Sequence, residues 1–320
     1  MHAEPKITVA ICTHDRAKYL TKALESIRKQ SLSKEAFEVV AVDNASTDST
    51  ASVVEQAKST LPNLRYVFEP NLGLSKARNR ALAEATGLYI AYLDDDAIAS
   101  PQWLDRLLTA FETIRPPPAV VGGRIDPIWE CERPVWLPDE LMMCFTIVDW
   151  CSEPKSLNPW KQSAFGANMA FVTSLLREVG GFDVGLGRVG HLLLSGEDVL
   201  VQRRLFMRGH SVHYDPRASV RHHVQTARLT KQWLLNRMFC EGLSDAMMTV
   251  KLNRLSRSER VLLALKPLAG FIRRPRAWTK FSLSNDDAAQ LFRRCEGRHR
   301  LGMAWGLLAY SDSTTQILKG

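Results

Sequence analysis

The 320-residue sequence lacks an apolar run of the length that a membrane-spanning helix needs, about 20 residues. The longest candidate, residues 261–272, is interrupted by Lys266, Pro267 and Gly270. Residues 1–6 lead directly into a predicted strand, so we also expect no cleaved signal peptide. These absences predict a cytoplasmic protein, either free or held peripherally at the inner face of the membrane.

The sequence also lacks any regular spacing of cysteines. No CxxC pair occurs, which argues against a metal cluster or a disulfide framework built from the six cysteines: Cys12, Cys131, Cys144, Cys151, Cys240 and Cys295. We therefore expect free thiols in a reducing compartment, in agreement with a cytoplasmic location.

The composition is that of a globular protein with an excess of basic residues. Hydrophobic residues make up 45% and charged residues 24%, and the length allows one large domain with a helical appendage. Forty-two Lys and Arg against 34 Asp and Glu give a net charge of +8, which favours anionic partners such as nucleotide phosphates, acidic lipid headgroups or nucleic acid. The basic residues crowd into residues 251–300.

Strand and helix patterns alternate over the first hundred residues. Strands are predicted at 7–12, 37–42, 64–69 and 88–93, and helices at 19–30, 50–58 and 75–85. Such alternation favours βαβ units and a mainly parallel sheet.

The remaining pattern is less regular. We predict helices at 102–114, 173–179 and 198–208, strands at 119–122, 167–172 and 212–214, and mostly helix from residue 231 onward. Residues 126–159 are rich in Pro and Trp without clear periodicity, which is typical of a long functional loop.

Polar or charged residues follow each of the first four predicted strands. In chain order they are Thr13, His14 and Arg16; Asp43; Asn71, Gly73 and Arg78; and Asp94, Asp95 and Asp96. Because ligands gather at the carboxyl ends of parallel strands, these groups predict one binding crevice. Taken singly, each also fits a helix cap, a turn or a solvated side chain.

Three adjacent aspartates at a strand end repel one another unless a cation is present. Oxygen ligands of this kind suit Mg²⁺ or Mn²⁺, which commonly share their coordination with substrate phosphates. The alternative interpretation is an acidic turn before the helix that follows Pro101.

Seven segments, in order and in spacing, resemble the family 2 glycosyltransferases. They are Thr13-x-x-Arg16, residues 42–48 (VDNASTD), residues 71–79 (NLGLSKARN), residues 93–96 (LDDD), residues 165–170 (FGANMA), residues 180–183 (GGFD) and residues 196–198 (GED). The resemblance covers residues 6–225. It implies an α/β protein of the GT-A, Rossmann-like fold, with a mixed, mainly parallel sheet flanked by helices and a helical C-terminal region.

The resemblance also implies a division of the chain. Residues 1–228 would form the catalytic domain, with a nucleotide-sugar half at 1–125 and an acceptor half at 126–228. Residues 229–320 would form the helical C-terminal region.

For the donor, the resemblance implies a nucleotide site made by Thr13, His14, Arg16, Asp43, Asn71, Gly73, Arg78, Asp94 and Asp95. Asp43 would accept a hydrogen bond from the base, usually uracil, and Arg78 would lie near the base or the diphosphate. The position of His14 is commonly an aromatic residue that stacks on the base, and histidine can still stack. A UDP-sugar is favoured, with thymidine and guanosine donors left open.

For the chemistry, the resemblance implies an inverting single displacement assisted by Mn²⁺ or Mg²⁺. Asp96 would be the direct metal ligand, Asp94 a second ligand or a ribose contact, and His222, in preference to His223, would complete the site. Asp198 would be the catalytic base that takes the proton from the acceptor hydroxyl. Glu197 is the alternative base or an acceptor-orienting residue.

The acceptor is less defined. Trp129, Trp136, Trp160 and Arg188 are candidate contacts to a saccharide, lipid-linked or natural-product acceptor, since aromatic rings bind the faces of sugars. Equally, the tryptophans could attach a long loop to the core.

Three alternatives stay open at this point. A metal-dependent nucleotidyltransferase would need a glycine-rich loop after the first strand, and residues 13–16 contain no glycine. A nucleic-acid-binding protein would need basic and aromatic residues interleaved on one face, and we expect no nucleic acid as partner. The basic segment at residues 261–276 fits either a membrane-surface contact or a helical subdomain packed on the rest of the protein.

Overall fold

The computed structural model describes residues 4–190, 192–272 and 288–310. Within these ranges, nine strands form one mixed sheet: β1 (Ile7–Thr13), β2 (Phe37–Asp43), β3 (Leu64–Phe68), β4 (Tyr89–Tyr92), β5 (Ala97–Ala99), β6 (Val120–Trp129), β7 (Lys155–Leu157), β8 (Met169–Val172) and β9 (Val212–Val224). The strand order is β3-β2-β1-β4-β8-β6-β9-β5, and β7 pairs with β9. β1 to β4 pair in parallel, while β8 is antiparallel to both β4 and β6, and β9 to both β5 and β7.

Nine helices occur in the described ranges: α1 (Ala17–Arg28), α2 (Thr50–Lys58), α3 (Leu74–Glu84), α4 (Trp103–Thr113), α5 (Thr173–Glu178), α6 (Glu197–Met207), α7 (Lys231–Asn253), α8 (Arg257–Ile272) and α9 (Ala288–Ala309). Short 3-10 turns lie at Lys34–Ala36, Asp139–Phe145 and Thr226–Arg228. None of the described helices combines the length and hydrophobicity of a transmembrane span.

The central strands are buried on both faces, as the nearly continuous apolar character of β1 and β2 requires of a parallel sheet. Val9 and Ile11 pack into one core cluster and Ala10 into a second, because successive side chains on a strand point to opposite faces. The first cluster includes the apolar face of α4 and the second includes that of α3. The predicted α/β class is confirmed.

The first four predicted strands and the first three helices agree with the structure to within two residues. Two predictions were wrong in extent. The strand predicted at 119–122 runs on to Trp129, into the segment expected to be irregular, and the strand predicted at 212–214 runs on to Val224. The three-residue strands β5 and β7 were not predicted.

The described residues divide into two compact units. The first holds the chain up to Ile128, Thr146–Val184 and Glu197–His223, and the second holds Trp129–Phe145, Gly185–Gly196 and the chain from Val224 onward. The boundary predicted at residue 228 stays a prediction. In the second unit, α7 and α9 are in backbone contact, since a Cβ on Gly242 would lie 2.0 Å from the His299 carbonyl oxygen and one on Gly302 would lie 2.0 Å from that of Phe239.

All six cysteines are free thiols. The basic residues Arg273, Arg274 and Arg276, which belong to the predicted membrane-surface segment, lie outside the described residues.

Asn168, immediately before β8, joins two strands and a helix in the core of the first unit. Its side-chain NH₂ donates to the carbonyls of Arg124 (3.1 Å) on β6 and Ala218 (2.7 Å) on β9, and its Oδ1 accepts from Trp103 Nε1 (2.8 Å) on α4. Asn168 and Trp103 are fully buried. Because water cannot replace these partners, the three bonds are expensive to lose.

We expect Asn168→Ala to lower the free energy of unfolding by about 3 kcal/mol, since it leaves three buried polar groups unpaired. Urea unfolding followed by circular dichroism measures this change. Asn236→Ala, at an exposed position on α7, is the control and should stay close to the wild type. Equal unfolding midpoints for the Asn168 variant and the wild type would contradict a structural role.

Candidate active site

The loops that follow β1 and β2 brace each other. Asp15, at φ 51°, accepts the N–H of Thr47 at 2.6 Å, and its own N–H donates to Ser46 Oγ at 3.0 Å. Asp48 Oδ2 accepts the N–H of Ala17 at 3.0 Å, which satisfies a free donor in the first turn of α1. The side chains of Asp15, Ser46 and Asp48 therefore accept hydrogen bonds from backbone N–H groups of these loops.

Asp43 is buried at the end of β2 with both carboxylate oxygens occupied. Oδ1 accepts the N–H of Ser46 at 2.9 Å and Oδ2 accepts the hydroxyl of Tyr66 at 2.7 Å. Burial and the Asp43 carboxylate raise the pKa of Tyr66 to about 12. Thr13 lies beside Asp43 in the β1–β2 ladder.

Asn44 ties the loop after β3 to the end of β2. Its side chain donates to the Asn71 carbonyl at 2.8 Å, and the N–H of Gly73 donates to Asn44 Oδ1 at 2.8 Å. The Asn44 carbonyl lies 2.9 Å from His14 Nδ1. The His14 side chain is 41% exposed, which leaves its ring accessible to a ligand.

Arg16, immediately before α1, contacts the aspartates after β4. Its Nη1 lies 3.2 Å from Asp95 Oδ1 and 2.6 Å from Asp96 Oδ2. Burial raises the pKa of Asp95, and Arg16 opposes that rise. Arg16 therefore contacts Asp95, a predicted nucleotide contact, and Asp96, the predicted metal ligand.

Asp94, Asp96 and His222 form a cluster that fits a divalent cation. One potential ligand atom from each lies within 4.8 Å of the other two, and His222 Nε2 is 2.9 Å from Asp96 Oδ1. The β5–β9 pairing brings them together, since Ala97 is opposite His222 and the N–H of His223 donates to the Asp96 carbonyl at 2.9 Å. Two carboxylates and an imidazole are a suitable set for Mn²⁺, and the carboxylates also suit Mg²⁺.

Arg78 connects this cluster to the start of α6. Its Nη2 lies 3.1 Å from Asp94 Oδ1 and its Nη1 lies 2.5 Å from Glu197 Oε1. Arg78 is only 2% exposed. A Cβ at Gly166 would lie 2.0 Å from Nη2, so the guanidinium occupies its place only because residue 166 is glycine. The predicted contact of Arg78 with the nucleotide stays a prediction.

Asp198 lies in the first turn of α6, 8% exposed. Its Oδ2 accepts the N–H of Gly166 at 3.0 Å and its Oδ1 accepts the N–H of Val199 at 2.8 Å. Burial raises the pKa of Asp198, and the charge of Glu197 raises it further, while Arg78 and the two N–H donors oppose the rise. A carboxyl group with a raised pKa is suited to accept a proton near neutral pH.

The candidate active site contains more negatively charged than positively charged side chains. Its contacts gather five carboxylates and two guanidinium groups, namely Asp94, Asp95, Asp96, Glu197 and Asp198 with Arg16 and Arg78. Buried charges of one sign are stable only with compensation, and a divalent cation at the Asp94 cluster would supply it.

The predicted acceptor residues lie in both units. Trp160 belongs to the first unit and is 47% exposed, with Arg203 Cζ 4.7 Å from its ring centroid. Trp129, Trp136 and Arg188 are partly buried residues of the second unit. Trp150, in the same Trp-rich segment, is attached by its Nε1 to the Ser163 carbonyl at 3.0 Å, which is the loop-anchoring role.

Sequence reasoning missed three residues that shape the site. Asn44 was part of a recognised segment, but its role as a tie between loops depends on partners 27 and 29 positions away. Tyr66 lies within an ordinary strand pattern, and Gly166 fits a turn as well as it fits a space for Arg78. No local signal identifies Tyr66, and the recognised segment that holds Gly166 gives no sign that the glycine makes room for Arg78.

The chain is similar to known proteins in both sequence and fold. A sequence model described as "Glycosyl transferase family 2" matches residues 8–179, more than half of the chain. The chain is 27% identical over 248 residues to the glucosyl-dolichyl phosphate glucuronosyltransferase of Haloferax volcanii, covering 76% of this chain and 77% of that protein.

Two solved structures share the fold. A mannosyltransferase from Pyrobaculum calidifontis in complex with GDP-Man and Mn²⁺ superposes with a TM-score of 0.60 at 21% identity, covering 99% of this chain and 87% of that one. S. aureus TarS 1-349 in complex with UDP-GlcNAc gives a TM-score of 0.56 at 18% identity, covering 97% and 92%. At these identities the likeness bears on the fold alone, and the predicted GT-A fold is confirmed.

We expect Asp96→Asn and His222→Gln each to weaken Mn²⁺ binding by about tenfold or more, because each removes one of three ligands. The electron paramagnetic resonance signal of free Mn²⁺ measures the affinity without any need for turnover. His213→Gln, also buried on β9, is the matched control and should bind as the wild type does. Wild-type affinity in both cluster variants would rule out this metal site.

Proposed function

This chain belongs to glycosyl transferase family 2, and we propose that it transfers a sugar from a UDP-sugar to an acceptor hydroxyl with inversion at the anomeric carbon. The observation that carries the proposal is the position of Asp198. Its carboxylate, at the start of α6, accepts hydrogen bonds from two backbone N–H groups. The adjacent Glu197 contacts Arg78, and Arg78 contacts Asp94 of the cation cluster. Base and cation cluster therefore belong to one connected site.

We place the proposed site for the sugar donor at the carboxyl ends of β1, β2 and β3. Each oxygen of the Asp43 carboxylate accepts one hydrogen bond within the protein and can accept a second from the base. His14 offers an exposed ring for stacking, and Thr13, Asn71 and Gly73 lie on the same loops. The S. aureus structure contains UDP-GlcNAc and the Pyrobaculum structure GDP-Man, so a nucleotide diphosphate sugar is the shared ligand class. We favour uridine because a carboxylate at Asp43 suits the N–H of that base.

In the proposed reaction the acceptor oxygen forms a bond to the anomeric carbon as the bond to the diphosphate breaks. Asp198 accepts the hydroxyl proton, and its raised pKa holds the proton until it is released to water. Arg78 orients Glu197, which lies next to the base. A divalent cation held by Asp94, Asp96 and His222 would stabilise the charge on the departing nucleoside diphosphate.

We propose an acceptor at an anionic membrane surface, bound there through α8 and α9. Residues 251–300 hold 13 Lys or Arg and four Asp or Glu, whereas the other 270 residues hold 29 and 30. The entire positive excess therefore lies in this segment. A cytoplasmic location, at the inner face of the membrane, agrees with the six free thiols.

Exposed apolar residues occur beside these charges. On α8, Val261, Leu262 and Leu265 lie on one exposed face, and Leu262 is 66% exposed. At 100° per residue, Arg257 and Lys266 flank them on the same face. An apolar strip bordered by cations is typical of a helix that lies in the headgroup region of a bilayer.

The exposed face of α9 repeats this arrangement. Leu301, Trp305 and Leu308 follow at spacings of four and three, so they share one face, and Trp305 is 59% exposed. Tryptophan is favoured at the membrane–water interface. A second copy of the chain is a poorer partner, because a symmetric contact would bring the same cations together.

We expect the protein to bind vesicles of phosphatidylglycerol and phosphatidylcholine more tightly than vesicles of phosphatidylcholine alone. The double variant Leu262→Glu, Leu265→Glu should bind the anionic vesicles at least about tenfold more weakly, since burial of each leucine contributes roughly 1.5–3 kcal/mol. Vesicle flotation measures both effects.

The control is Phe68→Glu, Leu88→Glu, which changes two exposed apolar residues of the first unit. Equal flotation of both double variants would refute the membrane contact. A wild-type dimer in sedimentation velocity that the α8 variant dissociates would assign the face to a second copy instead.

For the reaction, we expect Asp198→Asn to lower kcat for UDP release by about 10²–10⁴-fold while the affinity for UDP stays within about threefold, because the base acts on the acceptor. A panel of UDP-glucose, UDP-N-acetylglucosamine, UDP-glucuronic acid and GDP-mannose, each with Mn²⁺, identifies the donor. Glu178→Gln, an exposed carboxylate that pairs with Arg208, is the control. A fully active Asp198 variant would disprove the assignment.

The pH dependence gives a separate test. Asp198 must be ionised to accept a proton, and burial raises its pKa, so kcat should fall as the pH drops through a value well above the ordinary aspartate pKa of about 4. The profile of kcat against pH with a saturating donor measures this. A kcat that stayed constant down to about pH 5 would be inconsistent with the raised pKa.

A further inference from the structure

The segment that precedes α6 is held by one face of α7. Four α7 residues carry the contacts, Arg237, Glu241, Ser244 and Met248, at spacings of four, three and four that place them on a single helix face. All of them, and residues 193–196, belong to the second unit. Glu197 and Asp198 are the next residues of the chain.

Ser195 is hydrogen-bonded through both its backbone and its side chain. Its N–H donates to Ser244 Oγ at 3.0 Å, and its hydroxyl donates to Glu241 Oε2 at 2.7 Å. Arg237 Nη1 donates to Ser195 Oγ at 3.3 Å and to the Leu193 carbonyl at 3.4 Å, and it also pairs with Glu241. These bonds therefore hold the main chain and the side chain of Ser195 in one orientation.

Gly196 completes the arrangement. Its φ is +84°, a conformation that favours glycine, and a Cβ would lie 2.9 Å from both Sδ and Cε of Met248. The positive φ is what favours glycine at this turn, and Met248 of α7 packs against it. Arg237 is buried and pairs with Glu241, whose side chain is 36% exposed, so the ion pair links the two side chains that contact the Ser195 hydroxyl.

We propose that Arg237, Glu241 and Ser244 are positioning residues for the catalytic base, acting through Ser195 and Gly196 on the turn that begins α6. This inference rests on the proposed function of Asp198. A general base must lie within hydrogen-bond reach of the proton that it removes, and a displacement of about 1 Å can lower a rate by up to 10²-fold. In this role the three residues act on Ser195 and its neighbours, and the chain carries the effect to Asp198.

The test is Ser244→Ala, which removes the acceptor for the Ser195 N–H. Thr249→Ala is the matched control, because Thr249 makes the same hydrogen bond to the carbonyl four residues earlier on α7 as Ser244 does. We expect kcat to fall about tenfold in Ser244→Ala with the donor KM within about twofold of the wild type, and both to be unchanged in Thr249→Ala. The donor is the nucleotide sugar with the highest rate in the panel above.

Hydrogen exchange supplies a readout that does not depend on turnover. The amide of Ser195 should exchange about tenfold faster in Ser244→Ala than in the wild type or in Thr249→Ala. Ser195→Ala, which removes the bond to Glu241, should give the same pattern of lowered kcat and retained KM. The pH at which kcat is half-maximal should also move down in both variants, because a looser turn admits water to Asp198 beside Glu197 and Arg78.

The outcomes separate this inference from the proposed function. An inactive Asp198→Asn with fully active Ser244→Ala and Ser195→Ala would overturn the positioning role alone. An active Asp198→Asn would overturn the proposed base. A rise in donor KM equal to the fall in kcat, or unchanged exchange at Ser195, would also refute the positioning role.

Discussion

The buried guanidinium of Arg78 is the contact on which the arrangement of the site depends. It lies between Asp94, which follows β4, and Glu197, which begins α6, and it is almost fully shielded from water. Without the guanidinium, the neighbouring carboxylates of Glu197 and Asp198 would repel one another and take up protons. Gly166 leaves room for the cation, and the same residue's N–H holds Asp198, so one glycine supports both the charge pair and the base.

Around this contact, hydrogen bonds between loops align the strand ends. Asp15, Asn44 and Asp48 each link a loop to a neighbouring one, so the first three strands present a shared edge. The cation cluster instead depends on β9, whose pairing with β5 places His222 beside Asp96. The proposed nucleotide site, at the ends of β1 to β3, is thus built from consecutive βα units, whereas the cation cluster requires a strand more than 100 residues further along the chain.

The second unit has its own organising features. Glycines bring α7 and α9 into backbone contact, and α7 uses a polar face to hold the segment that leads into α6. The exposed faces of α8 and α9 carry apolar and basic residues in place of the acidic and basic mixture found elsewhere in the chain.

The sequence alone determined the α/β class, the first seven elements and the residues at the strand ends, because buried parallel strands and amphipathic helices leave strong local patterns. It also predicted Asp94, Asp96 and His222 as one set through family resemblance, and the structure brings them together. The length of β9 could not be predicted, since its buried Asp215, His222 and His223 interrupt the apolar pattern and Pro216 is unusual in a strand. Only the tertiary structure decided that Arg78 pairs with Asp94 and Glu197, that Tyr66 binds Asp43, and that α7 holds Ser195, because each of these contacts joins residues far apart in the chain and local sequence does not record its partner.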